Sequence, residues 1–174
     1  MNSLEKIQKV FHVFQILSKI AMIFSFVTAG LALLGAVCGI VWQNGGIVVG
    51  MDADILLSLT EVGGLYEMIG ALLADAVLVL TDGILSMLTY RYFKAEQADG
   101  TPFTASGADR MMKLGIQTIV FPIVGAVIAA VIYGCMNLTE VGDWSNGATV
   151  VTGIMLILGS MVFRYGAELE AKCS

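Results

Sequence analysis

The stretch from Met68 to Met136 decides the fold: MIGALLADAVLVLTDGILSMLTY (68–90), RYFKAEQADGTPFTASGADRMMK (91–113) and LGIQTIVFPIVGAVIAAVIYGCM (114–136). Two long apolar runs flank a polar, basic linker. At a rise of 1.5 Å per helical residue, about 20 apolar residues cross a hydrocarbon core, and each flanking run is long enough. Working outward, all nine Lys and Arg residues fall in three clusters: Lys6, Lys9 and Lys19; Arg91, Lys94, Arg110 and Lys113; Arg164 and Lys172. Basic residues accumulate on the cytoplasmic side of membrane proteins. Both termini and the 91–113 loop are therefore expected inside, and segments 43–67 and 137–147 outside. The expected spans are 20–42, 68–90, 114–136 and a shorter 148–163.

Composition agrees. The chain is 57% hydrophobic and only 13% charged, with a mean hydropathy of +0.87, so its solvent is largely lipid. The first apolar run is too long for the core of an export signal, and Gly35, Ala36 and Val37 ahead of Cys38 match a lipoprotein cleavage site poorly. It reads as a retained span. Four spans in 174 residues leave one transmembrane domain, 1–174, and the fold class is an all-α integral-membrane four-helix bundle.

Asn2 with Glu5 three positions later is a helix-start signal, and Leu4, Ile7, Val10, Phe11, Phe14 and Leu17 follow at helical spacing. An amphipathic interfacial helix over 3–19 is expected, its lysines facing anionic lipid; a solvated lead-in to the first span is the other reading. Leu59-Thr60-Glu61-Val62-Gly63 recurs as Leu138-Thr139-Glu140-Val141-Gly142, and Arg91-Tyr92-Phe93-Lys94-Ala95-Glu96 is echoed by Arg164-Tyr165-Gly166-Ala167-Glu168. Either these mark two parallel-repeat helical hairpins, or they are coincidence. Small residues at four-residue spacing, Ala32 with Ala36, Gly35 with Gly39, and Ala126 with Ala130 and Gly134, are expected where helices touch. Pro122 removes one backbone hydrogen bond in the third span, with packing ahead of gating as its reading.

The second span holds the two charges expected deep in the membrane, Asp75 and Asp82. Seven residues apart, they share a helical face about 10 Å apart along the axis, in one stripe with Glu67, Ser86 and Thr89. An aspartate at a helix centre costs about 2.5–3.5 kcal/mol on insertion scales, so such groups usually face a bundle interior and mark ion or proton routes. Asp75, Asp82, Ser86 and Glu67 are thus candidate proton or cation ligands; the structural reading pairs the aspartates with Gln117, Thr118 or Thr152. The outer segments are acidic (Asp52, Asp54, Glu61, Glu67, Glu140, Asp143) and contain no base, which would gather cations or simply reflect the charge bias. Segment 43–67 is long for a hairpin connection and reads as a lid or partner-binding loop.

Cys38 and Cys135 lie near the same membrane face, with free thiols favoured over a disulfide. His12 has no second His or nearby Cys, so no metal site is expected. Asn137-Leu138-Thr139 matches a glycosylation sequon but abuts the membrane. There is no nucleotide-binding glycine loop and no nucleophile with an adjacent activator. Neither catalysis nor a cofactor is expected, nor a nucleic-acid partner.

In the inner loop, Gly100 to Pro102 form a turn, Thr104 or Ser106 caps the next helix, and Phe103 can dock on the bundle. The run Gly100-Thr101-Pro102-Phe103-Thr104, with Asp109-Arg110 and Lys113-Leu114-Gly115 after it and Phe163-Arg164-Tyr165-Gly166-Ala167-Glu168-Leu169 near the end, resembles the bacterial four-span proteins of the domain-of-unknown-function 2975 family. The resemblance covers the four-span layout and two short stretches. It implies a bacterial plasma-membrane protein without an assigned activity, often encoded beside a small helix-turn-helix regulator, and supplies no site residues. That family continues past the Glu-Leu into an acidic and apolar tail, where this sequence has Glu170-Ala171-Lys172-Cys173-Ser174.

Two functions compete. One is a non-enzymatic sensing, regulatory or immunity-type module acting on a cytoplasmic regulator through Arg91, Lys94, Pro102, Phe103, Arg110 and Lys113. The other is a small proton- or cation-transporting subunit using Asp75 and Asp82. In either case a homo-oligomer or a second membrane subunit is the expected company in the bilayer.

Overall fold

The computed structural model describes residues 3–45, 64–99, 104–136 and 147–173, and these form four long helices. They are α1 (Ser3–Gln43), α2 (Leu65–Asp99), α3 (Ala105–Cys135) and α4 (Gly147–Cys173). The fold is an all-α four-helix bundle, and no strand occurs among the described residues. Each helix is long and apolar enough to cross a membrane, so the protein is a multi-pass membrane protein. Both Leu-Thr-Glu-Val-Gly copies, the sequon, Pro102, Phe103 and most of the outer segments lie outside the described residues.

The helices outrun the expected spans. The segment 91–113, expected as a loop, is mostly helix: α2 continues to Asp99 and α3 begins at Ala105. Lys94, Ala95, Glu96, Gln97 and Ala98 favour helix at the end of α2, and Ala105, Ala108, Arg110, Met111, Met112 and Lys113 outweigh Ser106, Gly107 and Asp109 at the start of α3. Thr104 is the cap. Its Oγ1 accepts from the Gly107 amide at 3.0 Å, while its carbonyl accepts the first helical bond, from Ala108, at 3.0 Å. Thr104→Ala is expected to cost about 1 kcal/mol of stability, read by chemical denaturation in micelles; an unchanged midpoint would assign the cap to Ser106 instead.

At the other end of the chain, α1 is one helix of 41 residues with no break between 19 and 20. The expected interfacial helix 3–19 is therefore its first half rather than a separate element. Neither Gly nor Pro stands near that point, and the Ser18 hydroxyl donates back to the Phe14 carbonyl at 2.8 Å. One covered stripe runs through both halves: Phe11, Gln15, Ser18, Met22, Ser25, Ala29, Ala32, Ala36 and Gly39. The alternating spacing of four and three is that of a helix packed along its length in a bundle. Gly45, with φ of 77°, closes α1 in the left-handed conformation.

The chain divides into two compact units. The first holds residues 1–23, 82–123 and 145–174. Here Phe11 and Phe14 of α1 pack on Phe93 of α2, with ring centroids 5.7 and 5.5 Å apart, and His12 Nδ1 lies 3.2 Å from Gln97 Nε2. α3 and α4 meet at glycines: a Cβ placed on Gly115 would stand 2.9 Å from the Gly153 carbonyl oxygen, and one on Gly153 would stand 2.9 Å from that of Gly115.

The second unit holds residues 24–81 and 124–144. Gly39 lets α1 approach α2, where a Cβ would meet Ile69 Cγ1 at 2.7 Å, and Gly125 lets α3 approach α2, where it would meet Thr81 Oγ1 at 2.8 Å. Ala129 is fully buried, whereas Ala130 and Gly134 are exposed. The contact stripe of α3 is thus Pro122, Gly125 and Ala129 rather than Ala126, Ala130 and Gly134. Sequence spacing marks small residues but does not say which of two adjacent stripes faces inward. The helix runs through Pro122 without interruption, and Cys38 and Cys135 are free thiols.

Candidate functional site

Two places on α2 carry the chemistry. The first lies past the end of the apolar run, beyond Tyr90, where the side chains are polar enough to leave the hydrocarbon. Glu96 is 1% exposed. Its carboxylate packs against the first turn of α3, so close to Gly107 that a Cβ there would sit 2.8 and 2.9 Å from the two oxygens. Both oxygens are buried without a hydrogen bond. The compensating charge is Arg110, whose Nη1 lies 3.5 Å from Glu96 Oε1. The same guanidinium donates to Asp99 through Nη2 and to Ser106 Oγ at 3.1 Å. One arginine on α3 therefore holds two carboxylates on α2, one buried and one at the surface.

Electrostatics follow from that geometry. Burial raises the Glu96 pKa above the ordinary glutamate range; Arg110 opposes this and the Asp99 charge adds to it. Tyr92, one turn earlier and 8% exposed, is pushed up to about 12 by burial and then by the Glu96 charge, with Arg110 opposing. On the same helix ends, Arg91, Lys94 and Lys113 are exposed. The two basic echoes in the sequence diverge here: Arg164 and Glu168 form an exposed pair at 3.8 Å, whereas Glu96 turns inward to α3. Sequence reading singled out Arg110 but not Glu96, because the two are 14 residues apart across a turn. A glycine in the first turn of α3, between Ser106 and Ala108, was the available sign of a close approach.

The second place is the span itself. Asp75 and Asp82, expected on an interior face, are both exposed on the surface of the chain. From residue 68 to residue 90 only Asp75, Leu80 and Asp82 are exposed, although α2 is the most buried of the four spans. Ala74 and Ala76, on either side of Asp75, are 0% and 3% exposed. The other helices present leucine, isoleucine, valine and phenylalanine outward. No ion pair forms to either aspartate among the described residues, and Thr118, one expected partner, donates instead to the Leu114 carbonyl at 2.8 Å. Asp75 lies within electrostatic reach of Tyr133 on α3. Glu67 is exposed, while Ser86 and Thr89 are half-buried, the latter donating to the Leu85 carbonyl at 2.9 Å. No cluster of three potential metal ligands occurs among the described residues.

Comparison with known proteins finds no matching family model, no similar curated protein and no similar solved structure. None of these comparisons supports the resemblance to the domain-of-unknown-function 2975 family.

Proposed function

We propose that this is a non-enzymatic plasma-membrane module, with both termini and the α2–α3 turn in the cytoplasm, that passes a membrane or envelope condition to a cytoplasmic partner. A sensing, regulatory or immunity-type role fits that description. The observation that carries the reading is the built end of the α2–α3 hairpin: a buried carboxylate and a shared arginine fix two helix ends, and Arg91, Lys94 and Lys113 are displayed around them. Burying one partner of an ion pair is an expensive way to stabilise a fold, and such pairs are best attested as devices that specify one arrangement. Exposed bases on such a frame suit an acidic protein surface.

The competing reading, a proton- or cation-transporting subunit, loses support from the exposure of Asp75 and Asp82. A route through one chain needs its carboxyls facing inward. Proton and monovalent-cation flux into liposomes carrying the purified protein separates the two. The expected result is flux no higher than in empty liposomes, and the same for Asp75→Asn with Asp82→Asn. Flux that the double substitution abolishes would overturn the signalling reading.

A further inference from the structure

We propose that the cleft between the start of α1 and the end of α2, lined by Gln8, Lys9, His12, Val13 and Gln97, binds the phosphate-bearing headgroup of an anionic membrane phospholipid. This goes beyond the signalling reading and does not rest on it.

All five lining residues belong to one compact unit and enclose an open cleft of about 720 Å³, within the size range of small-ligand sites. Its chemistry is one-sided. The walls hold a lysine, an imidazole and two side-chain amides, with no carboxylate among the lining residues. The Gln97 amide nitrogen can only donate, so His12 Nδ1, 3.2 Å away, accepts, and the neutral ring carries its proton on Nε2. That N–H is a donor for a ligand oxygen, beside the charge of Lys9. Phosphate oxygens accept such bonds and bring the negative charge that a lysine complements.

Depth points to a lipid rather than a dissolved anion. On α2 the apolar run ends at Tyr90 and the bases begin at Arg91. Gln97 stands six residues beyond Arg91, about 9 Å along the axis, and a headgroup layer is about 5–8 Å deep on each side of the hydrocarbon. His12 of α1 is level with Gln97. The cleft therefore opens at the depth of phospholipid headgroups. From Lys9 toward the membrane, Val13, Ile16 and Ile20 follow at spacings of four, three and four, which places them on one strip of α1. All three are exposed. A phosphate held at Lys9 and His12 thus sets an acyl chain along an apolar track that a dissolved phosphate would not use. A headgroup that also carries an ammonium, such as choline, would bring positive charge to a cleft lined by no carboxylate. The preferred lipid is therefore one of net negative charge, such as phosphatidylglycerol.

The test uses the full-length protein in dodecyl maltoside micelles, with bound lipid counted by native mass spectrometry. The probes are dioleoylphosphatidylglycerol, dioleoylphosphatidylcholine and inorganic phosphate. Phosphatidylglycerol is expected to bind about tenfold more tightly than phosphatidylcholine, and Lys9→Gln with His12→Ala should remove the preference. Lys9→Gln alone, which leaves the His12–Gln97 contact in place, should weaken phosphatidylglycerol binding about fivefold, whereas Lys113→Gln, a base outside the cleft, should change it less than about twofold. An unchanged denaturation midpoint in each variant guards against loss through misfolding. Equal binding of the two lipids would overturn the proposal. So would a preference that survives the double substitution, or a loss in Lys113→Gln as large as in Lys9→Gln, which would show diffuse attraction rather than a site. Displacement of phosphatidylglycerol by an excess of inorganic phosphate would assign the cleft to a dissolved anion and likewise overturn it.

Discussion

Leucine at Gly115 or Gly153 is expected to prevent α3 and α4 from packing, and even alanine there should cost about 1–3 kcal/mol. At Gly115 an added Cβ would stand 2.8 Å from Ile157 Cγ1, 2.9 Å from the Gly153 carbonyl oxygen and 3.1 Å from the Ile157 amide nitrogen. Two of those atoms are backbone. At Gly153 the Gly115 carbonyl oxygen is 2.9 Å away, so each helix is the obstacle for the other. A side chain can rotate out of the way, but a carbonyl moves only with its helix, and in lipid there is no hydrophobic gain to bring loosened helices back together. Gly159 provides the contrast. Its near neighbour is Met111 Cε at 2.9 Å, the end of an adaptable side chain, so Gly159→Ala should cost less than Gly115→Ala. Gly134, with nothing within 4 Å of an added Cβ, should gain up to about 1 kcal/mol from the better helix propensity of alanine. Denaturant titration in micelles followed by near-UV circular dichroism orders the four. Gly115→Ala as stable as Gly134→Ala would show that the helices do not meet at these glycines.

How far sequence carried the structure depends on which residues interact locally. The four spans were legible because length and hydropathy are properties of a run. The ends were not: Arg91–Asp99 and Ala105–Lys113 look like a loop when charge is weighed and prove helical because alanines and good helix formers outnumber the breakers. The covered stripe of α1 was half visible, since Ala32, Ala36 and Gly39 were marked as contact residues and their continuation to Phe11 was not. On α3, the adjacent stripes 122, 125, 129 and 126, 130, 134 both offer small residues, and only the position of Thr81 decides between them. Asp75 and Asp82 were found as unusual from hydropathy alone. Their exposure was not legible, because hydropathy marks a charge in a span without saying which face of the helix carries it. Glu96 stayed hidden because its partner lies on another helix.

Removing Arg110 should be the most costly polar substitution at the hairpin end. The Glu96 side chain is 0% exposed and that of Arg110 33%, so Arg110→Met leaves a buried carboxylate with no compensating charge. Breaking a fully buried pair from one side costs about 3–5 kcal/mol; with Arg110 partly exposed, about 1–3 kcal/mol is expected. Glu96→Gln should be far milder, because the amide keeps the shape, carries no charge and leaves Arg110 bonded to Asp99 and Ser106. Combining Glu96→Gln with Arg110→Met should recover most of the loss, a coupling that two independent sites would not show. The sign of the pH dependence follows from the raised Glu96 pKa. A folded value above the unfolded one means that the native state holds the proton more tightly, so the stabilisation is complete below the ordinary glutamate range and is lost as pH rises through the folded value. Wild type should therefore weaken as pH climbs through that window, Arg110→Met should extend the window upward, and Glu96→Gln should flatten it. If Glu96→Gln kept the wild-type slope, some other group would be titrating and Glu96 would be a fixed structural charge. A slope that disappears would make the end of the hairpin proton-sensitive at the place where three exposed bases are displayed, which is the property a cytoplasmic partner could read.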